Sequence, residues 1–150
     1  MKRTAVYFLL VLAAILAPVE KLDVAKLRPI EVVYISAADG AVLLQTDAKD
    51  IGFGRDVESA LEDMKKTSPA VIYLDTARYL LIGPGGEGVV KQLQGILKDN
   101  VQLCKADDKI PLDDVAEYLP VHGKLPEFDQ WEEGEKLPVL HLENDRIKIS

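Results

Sequence analysis

Apolar positions along this chain fall in short clusters whose spacing alternates between the period of a strand and that of a helix. Ile30-Glu-Val-Val-Tyr-Ile35 is rich in β-branched and aromatic residues and predicts a strand. Ala38-Asp39-Gly40 is a turn signal and Ala41–Thr46 a second strand, so residues 30–46 are expected to form a hairpin. Asp47 to Arg55, which contains Gly52 and Gly54, reads as a loop. Asp56 is suited to cap a helix, and Val57, Ala60, Leu61 and Met64 recur at helical spacing, which predicts an amphipathic helix over 57–66 ended by Ser68-Pro69. Ala70-Val-Ile-Tyr-Leu74 reads as a strand that breaks at Asp75-Thr-Ala and resumes over Arg78–Ile82. Val89, Val90, Leu93, Ile96 and Leu97 predict a helix reaching Lys98, and Val101–Ala106 another strand. Leu112, Val115, Ala116 and Leu119 mark a short helix closed by Pro120, residues 121–135 are irregular and acidic, and Leu137–Ile149 reads as a hairpin turning at Glu143-Asn144-Asp145.

The predicted order is β-β-α-β-α-β-α followed by a C-terminal β hairpin. Helices alternate with strands, so the expected fold class is α/β (α+β), a single small domain built on a mixed sheet over residues 30–150.

The first residues obey a different rule. Lys2 and Arg3 precede the apolar run Ala5–Val19, which has the layout of a secretory signal. The run is shorter than the roughly 20 residues of an average membrane helix, but Thr4 and snorkelling Lys2 and Arg3 extend its reach. Cleavage after Ala17 would leave Ile15 at −3 and Pro18 at +1, and cleavage after Ala14 would leave Leu12 at −3. Neither matches the small-residue rule, so residues 1–19 read as an uncleaved signal anchor in preference to a cleaved signal peptide, with a buried N-terminal helix of a soluble protein as the bland alternative. Residues 20–29 form a short mixed-charge stalk. Positive residues on the N-terminal side keep that end cytoplasmic, which predicts a single-pass protein of the cell membrane with its domain on the extracytoplasmic side.

Charge narrows the partners. The chain carries −7 overall, and its acidic residues all follow the apolar run. An acidic domain repels phosphate backbones, so no nucleic acid is expected. The single cysteine, Cys104, excludes an intramolecular disulfide and sits in an apolar run as a small buried hydrophobe.

Gly83-x-Gly85-x-x-Gly88 is the one motif with chemistry of its own. It follows an apolar strand, opens a predicted helix, and has Asp107 at the end of the next strand, as in a dinucleotide-binding fingerprint. Such glycines free backbone N–H groups to hold a pyrophosphate. Glu87 at the head of that helix repels phosphate but suits the helix dipole, so the loop also reads as a plain strand-to-helix turn. No metal site is expected: His141 and Glu143 share a strand face without a third ligand, and His122 stands apart from them in sequence. Asp75 and Arg78 flank the break in their strand as a candidate ion pair. Phe128 and Trp131 either pack a loop or offer a contact, and Glu132-Glu133 reads as solvated surface. No nucleophile has a base in its neighbourhood, so no catalytic residue and no cofactor is expected.

Three stretches carry a resemblance. Gly54-Arg-Asp-Val-Glu-Ser-Ala-Leu-Glu-Asp-Met64, Ile72-Tyr-Leu-Asp-Thr-Ala-Arg-Tyr-Leu-Leu-Ile-Gly83 and Val101-Gln-Leu-Cys-Lys-Ala106 with its following helix are similar to successive segments in the N-terminal domain of the C subunit (a lipoprotein) of spore-germination nutrient receptors. The likeness spans about residues 30–120. It implies an exported, membrane-tethered protein of endospore-forming bacteria that acts through protein contacts. It transfers no functional residue, and no cysteine follows the apolar run to take a lipid. The expected function is a membrane-anchored extracytoplasmic interaction module without catalysis, with an envelope protein as partner and a link to spore germination or the spore envelope. The alternative is a small-molecule or nucleotide-binding domain using the Gly83–Gly88 loop.

Overall fold

The computed structural model describes residues 29–107 and 110–150. The predicted anchor and nearly all of the stalk lie outside the described residues. No helix among the described residues is long and apolar enough to cross a membrane.

Seven strands form one mixed sheet: β1 (Val32–Ala38), β2 (Ala41–Thr46), β3 (Ile51–Gly54), β4 (Tyr79–Ile82), β5 (Gln102–Ala106), β6 (Val139–Glu143) and β7 (Arg146–Ile149). They stand in the order β3-β2-β1-β4-β5-β6-β7. β1, β4, β5 and β6 are parallel neighbours, while β2 and β3 at one edge and β7 at the other run antiparallel. The helices are α1 (Val57–Thr67) and α2 (Leu112–Tyr118).

The two hairpins rest on local chemistry. Asp39 and Gly40 both take positive φ (51° and 74°) between paired Ala38 and Ala41. Asn144 and Asp145 do the same (52° and 57°) between Glu143 and Arg146. These are two-residue turns of the kind whose twist matches that of the strands they join. α1 starts where the sequence predicts. The Asp56 carboxylate accepts from Ser59 N–H at 2.8 Å, and the Ser59 hydroxyl accepts from Asp56 N–H at 3.2 Å, a reciprocal cap.

Side chains of the central strands alternate between two cores. Val33, Ile35, Leu80, Ile82 and Leu103 face α1 with its Val57, Ala60 and Met64. Val32, Tyr34, Tyr79, Leu81 and Cys104 face Val115 of α2 and Leu119, which follows it in a 3-10 turn. Both faces of β1 and β4 are covered, which is why their sequences read as unbroken apolar runs.

Four sequence expectations are corrected. Residues 51–54 are not loop but strand β3. Its glycines are required: a Cβ on Gly52 would lie 2.1 Å from the Ala60 carbonyl oxygen, and one on Gly54 would lie 2.3 Å from Ala60 N, so α1 rests directly on the backbone of β3. Residues 70–74 do not join the sheet. β1 already has β2 and β4 as neighbours, and the segment gives only an isolated bridge position at Val71 and a 3-10 turn at Leu74–Thr76. The helix predicted over 89–98 is a 3-10 turn at Val90–Leu93, after which Gln94 is extended and Gly95 takes φ +78°. Val90, Leu93 and Leu97 are still buried against the α1 face, a spacing that tight turns satisfy as well as an α-helix. The element order along the chain is therefore β-β-β-α-β-β-α-β-β in place of the expected β-β-α-β-α-β-α and hairpin.

Two carboxylates fasten the turn between β2 and β3. Buried Asp50 accepts from the Ser68 hydroxyl at 2.6 Å and the Thr46 hydroxyl at 3.3 Å, tying the turn to the end of α1. Asp47 accepts the N–H groups of Glu31 at 3.1 Å and Val32 at 3.2 Å at the start of β1. Burial pushes the Asp47 carboxyl above its ordinary 3.8, outweighing the opposite pull of those N–H groups. A raised folded pKa means the folded state holds its proton more tightly than the unfolded chain. This contribution is full below 3.8 and is lost as pH rises through the interval above it. Asp47→Asn keeps a carbonyl acceptor and removes the titration. In urea titrations across about pH 3 to 6, wild type is expected to gain stability relative to Asp47→Asn as pH falls. A constant difference between the two would contradict the burial argument.

Candidate interaction surface

The sequence-predicted glycine loop lies at the carboxyl ends of the central parallel strands, where open α/β sheets bind ligands. Its parts are already committed to the fold. A Cβ on Gly83 would lie 2.0 Å from the Tyr34 hydroxyl, and one on Gly85, at φ +69°, would lie 1.9 Å from the Ala37 carbonyl oxygen. Pro84 accepts the Ala37 N–H at 3.0 Å and Ile35 accepts the Gly83 N–H at 2.8 Å, so the loop folds down over the end of β1. Gly88 has open space around it. A cleft of about 430 Å³ remains, lined by Gly83, Gly85, Glu87, Gly88, Lys105 and Asp107. Its one cation, Lys105, is ion-paired with Glu87. With Asp107 added, the charged lining sums to one negative charge, the wrong sign for a phosphate. The 3-10 turn Gly86–Gly88 replaces the expected helix N-terminus and presents no aligned dipole of useful length.

The other candidate residues are brought together only in pairs. His141 stands opposite Lys148 across the last hairpin, and Lys148 is ion-paired with Glu143. A cation therefore occupies the place where the two would share a metal. His122 stacks on Tyr118 at 4.0 Å between ring centres, with its Nε2 2.7 Å from the tyrosine hydroxyl. Among the described residues no three His, Cys, Asp or Glu side chains are grouped to hold a metal ion. Asp75 takes the hydrogen bond of the Tyr73 hydroxyl, which holds that phenol above its ordinary pKa. Cys104 is buried, and desolvation pushes its thiol up to about 12, far from a reactive thiolate. Phe128 and Trp131 pack into the core on the α1 side. Trp131 Nε1 is buried with no hydrogen-bond partner among the described residues. Glu133 pairs with Lys91 at 2.9 Å on the surface.

No protein-family model, curated protein or solved structure matches the chain.

The sequence reading missed a different surface. α2 packs over the middle of the sheet and leaves β2 and β3 uncovered on that side. Because Gly52 and Gly54 face α1, strand alternation sends Ile51 and Phe53 to the uncovered side. Ile51 is 44% exposed and Phe53 60%. They pair across the ladder with Gln45 and Leu43. A groove of about 320 Å³ runs beside Phe53, between Tyr34, Ser36, Ala41 and Leu43. A second hollow of about 250 Å³ lies where Ile51 and Gln45 meet Ile110 and Leu112 at the start of α2. The strip is apolar at its centre, with Lys49 and Asp113 at its margin.

The edge of β3 beside this strip is closed. Phe53 N–H donates to Asp63 Oδ2 at 3.0 Å, and the Ile51 carbonyl accepts from the Thr67 hydroxyl at 3.3 Å. Two side chains of α1 thus satisfy backbone groups that an incoming strand would need. A partner reaching this region must meet the face of the sheet, through side chains.

Proposed function

We propose that the chain is a membrane-anchored interaction module without catalysis of its own, held by residues 5–19 with its domain on the extracytoplasmic side. The observation that carries the reading is the uncovered face of β2 and β3, where Ile51 and Phe53 stand exposed over an apolar groove. Aromatic residues are enriched in protein interfaces, and an apolar strip with a polar margin has the anatomy of a contact patch. The partner in this reading is another envelope protein. The resemblance to germination-receptor C subunits makes the envelope of endospore-forming bacteria the place to look for it.

A photoreactive phenylalanine analogue at position 53 tests the proposal in cells that make the protein. The expected result is a discrete cross-linked product on irradiation, with none from the same analogue at Tyr118, which lies on α2. A C-terminal tag followed by protease treatment of intact protoplasts reports topology in the same cells. Digestion of the tag without a cross-link at position 53 would leave the anchor standing and remove this face as the contact surface.

A further inference from the structure

The segment predicted as a strand over 70–74 presents apolar side chains to solvent at one end of the sheet. Val71 and Tyr73 are each 49% exposed. The residues between and after them turn the other way: Leu74 is buried in the core on the α1 side, and Ile72 is partly buried against it. The segment is held rigidly. The Thr76 hydroxyl accepts from Ile30 N–H at 3.0 Å and donates to the Ile30 carbonyl at 2.9 Å. Arg78 and Tyr79 N–H both donate to the Glu31 carbonyl, at 2.9 and 3.0 Å. The loop is therefore fastened to Ile30 and Glu31, the residues through which the chain enters β1.

That position gives the exposed pair a meaning that rests on the membrane-anchor reading. If residues 5–19 lie in a bilayer, only residues 20–28 separate them from Pro29. A chain extends at most about 3.3–3.6 Å per residue, so Ile30 lies within roughly 40 Å of the membrane surface. The end of the domain bearing Val71 and Tyr73 is then the end next to lipid. Tyrosine favours the headgroup level, with its ring toward hydrocarbon and its hydroxyl in the polar layer. Exposed Lys65 and Lys66 end α1 just ahead of this loop; Lys66 also lies 4.0 Å from Glu62, and the one positive charge left over suits anionic headgroups.

We infer that the loop carrying Val71 and Tyr73 is a second membrane contact, resting in the lipid interface and fixing how the domain stands on the bilayer. This orientation directs the domain through two points of attachment, the anchor and the loop.

The test uses the full chain in vesicles of phosphatidylcholine and phosphatidylglycerol. A fluorophore is placed on Val71→Cys, and separately on Tyr73→Cys, Ala41→Cys and Leu10→Cys. Buried Cys104 does not compete for label in the folded protein. Nitroxide lipids report depth. Labels at 71 and 73 are expected to be quenched at least about twofold more than the label at Ala41→Cys, as for a segment seated about 5–10 Å into the interface. Ala41 lies at the far end of β1, beyond the Asp39-Gly40 turn. Quenching at position 10 but not at 71 or 73 keeps the anchor and overturns the loop contact. Loss of quenching at all three overturns both. Quenching at 71 and 73 without position 10 removes the anchor and overturns the two-point attachment, leaving a loop that meets lipid by itself.

Discussion

Gly85→Ala is expected to destabilise the fold by about 3 kcal/mol or more, while Gly88→Ala, in the same loop, stays within about 0.5 kcal/mol of wild type. At Gly85 two penalties meet. The left-handed backbone, φ +69°, costs an alanine about 1–2 kcal/mol. The added methyl would also stand 1.9 Å from the Ala37 carbonyl oxygen, a backbone atom that moves only if β1 moves. Gly88 has neither problem. Urea midpoints of the two variants measure the difference. A pyrophosphate-binding loop would leave a different mark, since Gly88→Ala would then spare stability and lose nucleotide. Equal stability of both variants would mean that the loop does not lie on β1 as described.

Leu80→Ala and Leu81→Ala are each expected to cost about 2–5 kcal/mol, the range for deleting a buried leucine side chain. Neighbours on one strand point to opposite faces, and both are 0% exposed because α1 covers one face and α2 the other. Leu43→Ala lies on the same face as Leu81 but in the uncovered part of the sheet, where it is only partly buried, and is expected to cost clearly less than either. Chemical denaturation with a common m-value compares the three. A loss at Leu43 as large as at Leu81 would show that something covers the β2–β3 face even in the isolated protein.

What the sequence made legible follows from how local its causes are. The hairpin of β1 and β2, the capped start of α1 at Asp56 and the final hairpin depend on neighbouring residues, and all stand where expected. Elements whose fate depends on distant partners were misread. Residues 70–74 have strand composition, but a strand needs a free neighbour, and β1 has none to offer. Gly52 and Gly54 hid β3 because glycine disfavours strands; only the approach of α1 explains why they are there. Val89 to Leu97 kept its buried positions and lost its helix at Gly95. The exposed face of β2 and β3 was the least legible part. Ile51 and Phe53 fall in a segment that reads as a loop, and nothing local announces that α2 stops short of them.

The order of the strands has a consequence for how the chain assembles. β1 with β2, and β6 with β7, pair across two-residue turns, and such hairpins close in about 1–10 μs. The three junctions in the middle are parallel: β1 must find β4 after β2, β3 and α1 have intervened, and β6 must find β5 across α2 and a long irregular segment. Non-local pairings of this kind slow folding. The two ends of the sheet are thus quick to take shape and the seam between them slow. Until that seam closes, the flanks of β4 and β5 are bare, and newly made chains are at their most adhesive during that interval.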